Sequence, residues 1–540
     1  MSHNPPQGPA TKILTDVAKA QPDLNCLDFL GNTMTYGEVL STARHAARGL
    51  QDLGIQKGDR VGLCLPNSPY YVIAHYAVLL AGATVVNFNP LYTQDEIHHQ
   101  VVDSGVVVMF TLDIKTIYSK VAAALHNTSL RSIVVCALSD ALPPVKSLLF
   151  QIFKRAEVAA VPKDLGHIPF NLLIADKDEP KPVDIDPEND IAIIQYTGGT
   201  TGTPKGAMLT HANIRANTEQ VRMWLGNTTP GQEKFLCAIP FFHVFAMTAA
   251  MNIGLVTGSE LILLPRFELK DVLEVITHKK PTIFPAVPTI YSAINNAEDL
   301  ARYDLKSIRY CISGGASLPP KVKTEFEHNS DCILVEGYGL SEASPVVTCN
   351  PPHGQNKSGS IGMALPWTEI QCRDLENFDR VAAQGEPGEL IVRGPQVMAG
   401  YLNQIEETDF VLCDGWLRTG DVGYQDEDGY FFLTDRIKDL INCSGFKVYP
   451  HAIEEVLYRH DDINEAIVIG VVDDYRGEAP KAFVTLKPGA SATSESLLTF
   501  AVEHLNPIER PISVEIREEL PKTLIGKLSK KELKEEQSHG

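Results

Sequence analysis

Short apolar runs alternate with stretches of helical length through most of this chain, and that alternation limits its fold more than any other feature. Arg60-Val-Gly-Leu-Cys-Leu65, Ala83-Thr-Val-Val86 and Val106-Val-Val-Met-Phe110 have strand length, while Leu40 to Leu53 carries its apolar residues at helical spacing. Strands that are apolar throughout must be covered on both faces, so the pattern predicts a parallel sheet sandwiched by helices. It returns at Thr282-Ile-Phe284, Tyr310-Cys-Ile312 and Cys332-Ile-Leu-Val335, which predicts a second α/β layer. A chain of 540 residues exceeds what one core holds. Between Gly359 and Tyr430, short strands such as Glu389-Leu-Ile-Val-Arg393 separated by Gly and Pro read as a small β-barrel. A boundary is expected at Asp435-Arg-Ile-Lys438, dividing residues 1–435 from a smaller α+β unit, 436–540. That unit has a helix near Ile453 to Tyr458, strands at Ala466-Ile-Val-Ile469 and Ala482 to Leu486, and a charged tail from Lys530 to Glu536.

Directly after the apolar run Ile191-Ala-Ile-Ile194 comes Tyr196-Thr-Gly-Gly-Thr-Thr-Gly-Thr-Pro-Lys-Gly206, with four glycines, four threonines and one lysine. Gly198, Gly199 and Gly202 let backbone N–H groups approach an anion, Thr197, Thr200 and Thr201 add uncharged donors, and Lys205 supplies a cation. A flexible linker has similar composition. The stretch is no Walker A loop, because Lys205 lies between Pro204 and Gly206 instead of preceding Ser or Thr at a helix start.

The net charge of −20, from 47 basic and 67 acidic residues, argues against a nucleic-acid partner. Ten cysteines without a CxxC spacing suit a reduced, cytoplasmic protein and offer no zinc site. The first ten residues lack a basic start and an apolar core, so they read as a loose tail and not as a secretory signal. Tyr70 to Phe88 and Ile239 to Leu264 approach membrane-spanning length, but His75, Asn87, His243, Asn252 and Glu260 interrupt them as in globular segments. Lys146-Ser-Leu-Leu-Phe-Gln-Ile-Phe-Lys-Arg155, apolar and bracketed by basic residues, reads either as an ordinary packed surface helix or as an interfacial one. Peripheral contact at the inner face of a membrane is compatible with the latter, and a homodimer is compatible with the chain as a whole.

The glycine-threonine loop is followed in order by Tyr338-Gly-Leu-Ser-Glu342, Thr419-Gly-Asp421, Asp435-Arg-Ile-Lys438 and Lys522-Thr-Leu-Ile-Gly-Lys527. Together these resemble the adenylate-forming superfamily of acyl-CoA synthetases, luciferases and peptide-synthetase adenylation domains, over about Tyr36 to Leu533. Gly198, with Lys205-Gly-Ala-Met-Leu-Thr-His211, is most similar to the bacterial long-chain fatty acid CoA ligases. The resemblance implies ATP, Mg²⁺ and coenzyme A, a fatty acid substrate, and a small C-terminal domain that moves.

It also implies roles for individual residues. Glu342, with the Ser341 hydroxyl where the family usually has Thr, would ligate Mg²⁺, consistent with a hard cation that takes one or two carboxylates. Tyr338 and Gly339 would lie at the adenine, with the backbone of Gly314, Gly315 and Ala316 on its other side. Asp421 would accept the ribose hydroxyls with Arg436 assisting, as a carboxylate can from a cis-diol. Lys527 would bridge carboxylate and α-phosphate during adenylation, although alone it is one lysine in a basic tail. Lys438 would be the hinge, and Cys443 to Val448, including Gly445 and Lys447, would line the pantetheine tunnel. Ser444 stands where luciferases carry a lysine.

In relatives the residue matching His243 closes the carboxylate end of the acyl site, which gives His243 a catalytic place. The neighbouring Phe241, Phe242 and Phe245 suit either plain core or ligand wall, and Gly337 and Val346 are candidates to flank the acyl chain. No cation for a dicarboxylate is identifiable there. The expected activity is an ATP-dependent long-chain fatty acid CoA ligase. Medium-chain, aryl or dicarboxylate CoA ligases are the alternatives, with a fatty acyl-AMP ligase serving a carrier protein next. A non-catalytic fatty-acid binding protein would need none of Glu342, Asp421, Arg436 and Lys527.

Overall fold

The computed structural model describes residues 4–175, 177–197, 204–226, 228–444, 446–473, 475–487, 489–523 and 528–538. Among these residues the strands form four sheets. An eight-stranded sheet runs in the spatial order Gly400–Tyr401, Lys205–Thr210, Ile191–Thr197, Thr84–Asn87, Arg60–Cys64, Val108–Leu112, Ser132–Cys136, His167–Pro169. From Ile191–Thr197 to His167–Pro169 all neighbours are parallel; the first three strands pair antiparallel. A nine-stranded sheet has a parallel centre built from Ile333–Gly339, Tyr310–Ser313, Ile283–Ala286, Lys234–Cys237, Glu260–Leu263 and Asn25–Phe29. The two expected α/β layers are therefore present.

One apolar core joins both layers. The helix Pro69–Leu80 is buried on every side, from Pro69 to Leu79. An all-round apolar helix has no solvent face to offer, which is why the stretch Tyr70 to Phe88, of which it forms the first part, approaches membrane-like composition. The second such stretch breaks into Val244–Ala246, a π-helical turn Met247–Asn252 and Ile253–Val256 before the strand Glu260–Leu263. No helix among the described residues is long and apolar enough to cross a membrane.

The segment expected as a small β-barrel forms a five-stranded antiparallel sheet, in which Trp416–Gln425 pairs with both Gly388–Arg393 and Phe431–Arg436. The last sheet, also five-stranded, is built on the long hairpin Ile463–Asp473 and Gly477–Leu486 and has its own core around Ile453, Val468, Val484 and Leu497. The charged tail is the helix Lys530–Ser538. Lys146 to Arg155 departs from the ordinary packed alternative: the helix Pro144–Phe153 forms as spaced, but none of its residues is buried.

Candidate active site

The glycine-threonine loop joins two antiparallel strands, with Thr197 directly opposite Lys205 across its base. It is thus a hairpin and not a strand-to-helix turn, in keeping with the missing Walker A pattern. Gly198, Gly199, Thr200, Thr201 and Gly202 lie outside the described residues, so the hairpin is seen through Thr197, Lys205 and Gly206. Gly206 has a packing reason, since a Cβ there would stand 2.8 Å from Ile194 Cγ2. Lys205 Nζ forms an ion pair with Glu407 and lies 5.4 Å from the centre of the Tyr401 ring.

Tyr401 reaches this position because the two-residue strand Gly400–Tyr401 adds to the edge of the hairpin, with Tyr401 opposite Ala207. Its hydroxyl donates to Glu342 Oε1 at 2.7 Å, and the Met398 N–H donates to the Glu342 carbonyl at 2.8 Å. Burial, then the Glu342 carboxylate, holds the Tyr401 phenol above its ordinary pKa, so it stays a donor. Glu342 sits in the short turn Ser341–Ala343 directly after the strand Ile333–Gly339. The hairpin cation and the Glu342 carboxylate, far apart in sequence, therefore share Tyr401.

A second cluster forms where the nine-stranded sheet meets the antiparallel one. The Tyr338 hydroxyl donates to Asp421 Oδ2 at 2.6 Å, and Arg436 Nε stands 2.9 Å from Asp421 Oδ1. Asp421 and Arg436 face each other across neighbouring strands, and Asp421 is 5% exposed while Arg436 keeps one face to solvent. Both carboxylate oxygens are thereby presented in a fixed plane, as a two-hydroxyl ligand requires. The Asp421 carboxylate raises the Arg436 pKa, and burial raises that of Tyr338.

Close packing explains the glycines nearby. A Cβ on Gly339 would lie 2.0 Å from the Pro345 carbonyl oxygen, one on Gly314 would lie 3.0 Å from the Phe245 ring, and Gly315 has φ +88°. Beneath this turn the buried Glu336, opposite Ser313 in the parallel register, accepts the Leu318 N–H at 3.0 Å. Burial pushes its carboxyl up to about 8, so it is largely neutral near pH 7.

His243 is half-buried, and its Nδ1 accepts the Phe245 N–H at 3.3 Å, which leaves Nε2 to carry the proton of the neutral ring. The segment around it is fastened from below. Asn67 donates to the carbonyls of Cys237 at 3.0 Å and Ile239 at 2.9 Å and accepts the Phe241 N–H at 2.7 Å. Tyr71 donates to the Phe241 carbonyl and Gln195 to that of Phe242. Phe241 is fully buried core, whereas Phe245 touches Gly314. A narrow apolar cavity continues between helix His211–Leu225 and the nine-stranded sheet, lined by Val221, Trp224, Ala249, Ile312, Val335 and Val346 among others, with no charged side chain among its lining residues. Val346 is among its lining residues, whereas Gly337 is not.

Toward the C-terminus, the Asp435 carboxylate accepts the His451 N–H at 2.9 Å, and Lys534 pairs with Asp439 at 2.6 Å. Lys438 lies in the short turn Ile437–Asp439 between them, and Lys447 is exposed on the strand Phe446–Val448. Gly445 and Lys527 lie outside the described residues. Lys522 and Leu528 form an isolated antiparallel bridge, and Lys522 Nζ pairs with Glu465 at 2.7 Å.

Tyr401, Glu407, Glu336, Asn67 and Gln195 were not legible as site residues. Only Glu336 left a trace, as a lone acid after the apolar run Ile333-Leu-Val335.

A long-chain-fatty-acid–CoA ligase of Bacillus subtilis (strain 168) is 46% identical over 97% of this chain and 94% of its own length. An anthranilate CoA ligase solved in complex with anthranoyl-AMP superposes with a TM-score of 0.87 at 24% identity, covering 100% of this chain and 99% of its own, a likeness of fold. The ATP-bound MatB of Rhodopseudomonas palustris gives a TM-score of 0.83 at 26% identity, covering 98% and 99%. The models of the AMP-binding enzyme and of its C-terminal domain match residues 14–402 and 452–527. With the first of these covering most of the chain, and with the hairpin, Glu342 and the Tyr338–Asp421–Arg436 cluster on the strands described above, this chain belongs to the AMP-binding enzyme family.

Proposed function

We propose that this chain is an ATP-dependent long-chain fatty acid CoA ligase. The observation that carries the reading is the pairing of two sites on one sheet: the Asp421 cluster at Tyr338, and an apolar cavity lined by Ile312, Val335 and Val346 with no charged side chain in its lining. A carboxylate is a poor acyl donor because its leaving group would be oxide. In the first step its oxygen attacks the α-phosphorus of ATP and pyrophosphate departs. In the second the thiol sulfur of coenzyme A attacks the acyl carbon, losing its proton, and AMP departs.

Asp421 and Arg436 hold the ribose hydroxyls, Tyr338 lies against the adenine beside Gly314 to Ala316, and Thr197 and Lys205 hold the outer phosphates in this reading. Lys527 supplies the cation between carboxylate and α-phosphate. His243 closes the carboxylate end of the acyl site. Mg²⁺ suits Glu342, whose carboxylate has one oxygen on Tyr401 and a neighbouring Ser341 hydroxyl, and when bound it neutralises charge developing on the phosphates. Residues 436–540 act as a domain that turns about Lys438, exchanging Lys527 for the Cys443 to Val448 surface as the thiol enters. The substrates are a fatty acid, ATP and coenzyme A, and the cytoplasm is the compartment.

The test is AMP formation with palmitate, octanoate, benzoate and adipate, each with and without coenzyme A. The expected result is coenzyme-A-dependent turnover greatest with palmitate. A maximum at benzoate or adipate would keep the chemistry and replace the substrate, and no AMP with any acid would remove the reading.

A further inference from the structure

We propose that the helix Pro144–Phe153 docks this protein onto anionic lipid surfaces. Val145, Leu148, Leu149, Ile152 and Phe153 recur at the spacing that normally turns one helix face toward a core. Here that face is turned outward, with exposures of 71%, 59%, 47%, 60% and 76%. The helix packs mainly on its own flanks, Leu138–Ala141 and Arg155–Glu157, and Lys146 ties its base to the Leu30 carbonyl at 2.8 Å.

Charge identifies the occupant. The chain carries −20, yet residues 143–165 hold four basic side chains, Lys146, Lys154, Arg155 and Lys163, against two acids, Glu157 and Asp164. An apolar stripe beside basic residues complements acyl chains beneath anionic headgroups. A second copy docked by two-fold symmetry would set the same basic flanks against each other. Ten helical residues measure about 15 Å and cannot span a bilayer, so the helix lies in the interface plane.

Its place in the fold keeps docking away from the nucleotide. The helix belongs to the crossover between Ser132–Cys136 and His167–Pro169, at the opposite edge of the eight-stranded sheet from the hairpin of Lys205. The docking claim stands on the helix alone. Its use, collecting a long-chain acid from the bilayer, rests on the function proposed above.

The experiment is flotation of the full chain with vesicles of phosphatidylglycerol and phosphatidylcholine in equal parts, and of phosphatidylcholine alone. Wild type is expected to float with the anionic vesicles, and Leu148→Glu/Ile152→Glu and Lys154→Glu/Arg155→Glu to partition at least about tenfold more weakly at an unchanged melting temperature. A milder Leu148→Ser/Ile152→Ser variant, weakened in the same direction, covers the case where the first pair misfolds. Wild type that floats with neither vesicle, or variants that float as well as wild type, would overturn the proposal. So would a wild-type dimer that becomes monomeric in Leu148→Glu/Ile152→Glu without vesicle binding, which would give the face to a second copy. Flotation as expected, in a protein that forms no AMP with any acid, would leave docking intact and remove only its use.

Discussion

The Tyr401 hydroxyl donates to Glu342 Oε1 at 2.7 Å while the face of the same ring lies 5.4 Å from Lys205 Nζ. One aromatic side chain thus holds the carboxylate proposed for the metal and borders the cation proposed for the phosphates. Tyr401→Phe keeps the ring and removes the hydrogen bond to a charged acceptor, worth about 1.5–3 kcal/mol. A roughly tenfold or greater loss in kcat/KM for ATP is expected, with the melting temperature lowered by a few degrees at most. Pyrophosphate exchange at several Mg²⁺ concentrations measures it, and an unaltered rate at limiting Mg²⁺ would deny Tyr401 its positioning role.

Glu407 pairs with Lys205, so it would compete with the phosphates proposed to bind there. The pair is about one-third exposed on both sides, so it contributes no more than about 1 kcal/mol. Glu407→Gln is therefore expected to lower the KM for ATP by about two- to fivefold with kcat nearly constant. A raised KM would mean that Glu407 instead orients Lys205 toward the nucleotide.

Glu336 makes stability fall as pH rises. Its folded-state pKa is raised from the ordinary 4.5 to about 8, so the folded chain keeps a proton that the unfolded chain has lost. The stabilising contribution is complete below the ordinary value, declines between the two and is gone above about 8. Glu336→Gln can still accept the Leu318 N–H and has no charge to form. Its urea midpoint should gain on wild type between about pH 6 and about pH 8. A difference independent of pH would show that Glu336 is ionised in the fold.

Gly339→Ala would press a Cβ to within 2.0 Å of the Pro345 carbonyl oxygen, and backbone cannot move aside as a side-chain tip can. A loss of about 2 kcal/mol or more, with pyrophosphate exchange abolished, is expected. Gly337→Ala is the comparison, since its Cβ would meet the Thr348 oxygen at 3.3 Å and should be tolerated better. Thermal unfolding of the two variants side by side decides; equal midpoints would refute the packing argument.

Features that depend on neighbours along the chain could be read from the residues alone. Apolar runs of strand length separated by helical stretches required parallel layers, and the parallel cores of both large sheets follow from them. Thr197 and Lys205 were legible as the two ends of one loop whose glycines and threonines suit an anion, because those residue types act over a few residues. Asp421 and Glu342 gained meaning from the order of motifs.

Which distant segments meet emerges from long-range packing. Tyr401 bears on Glu342 and Lys205 because a two-residue strand happens to add to the hairpin edge, and nothing in the local pattern of residues 400–401 announces that pairing. Asn67 and Gln195 look like ordinary polar residues until the fold brings the backbone of Cys237 to Phe242 over them. Glu336 is held largely neutral near pH 7 because the surrounding strands bury it, and the stripe from Val145 to Phe153 faces solvent because no element among the described residues packs over it. Spacing along a chain establishes that one face is apolar. Whether that face meets a core or water is set by the surfaces that long-range packing brings to it, and these are not encoded in any short window of residues.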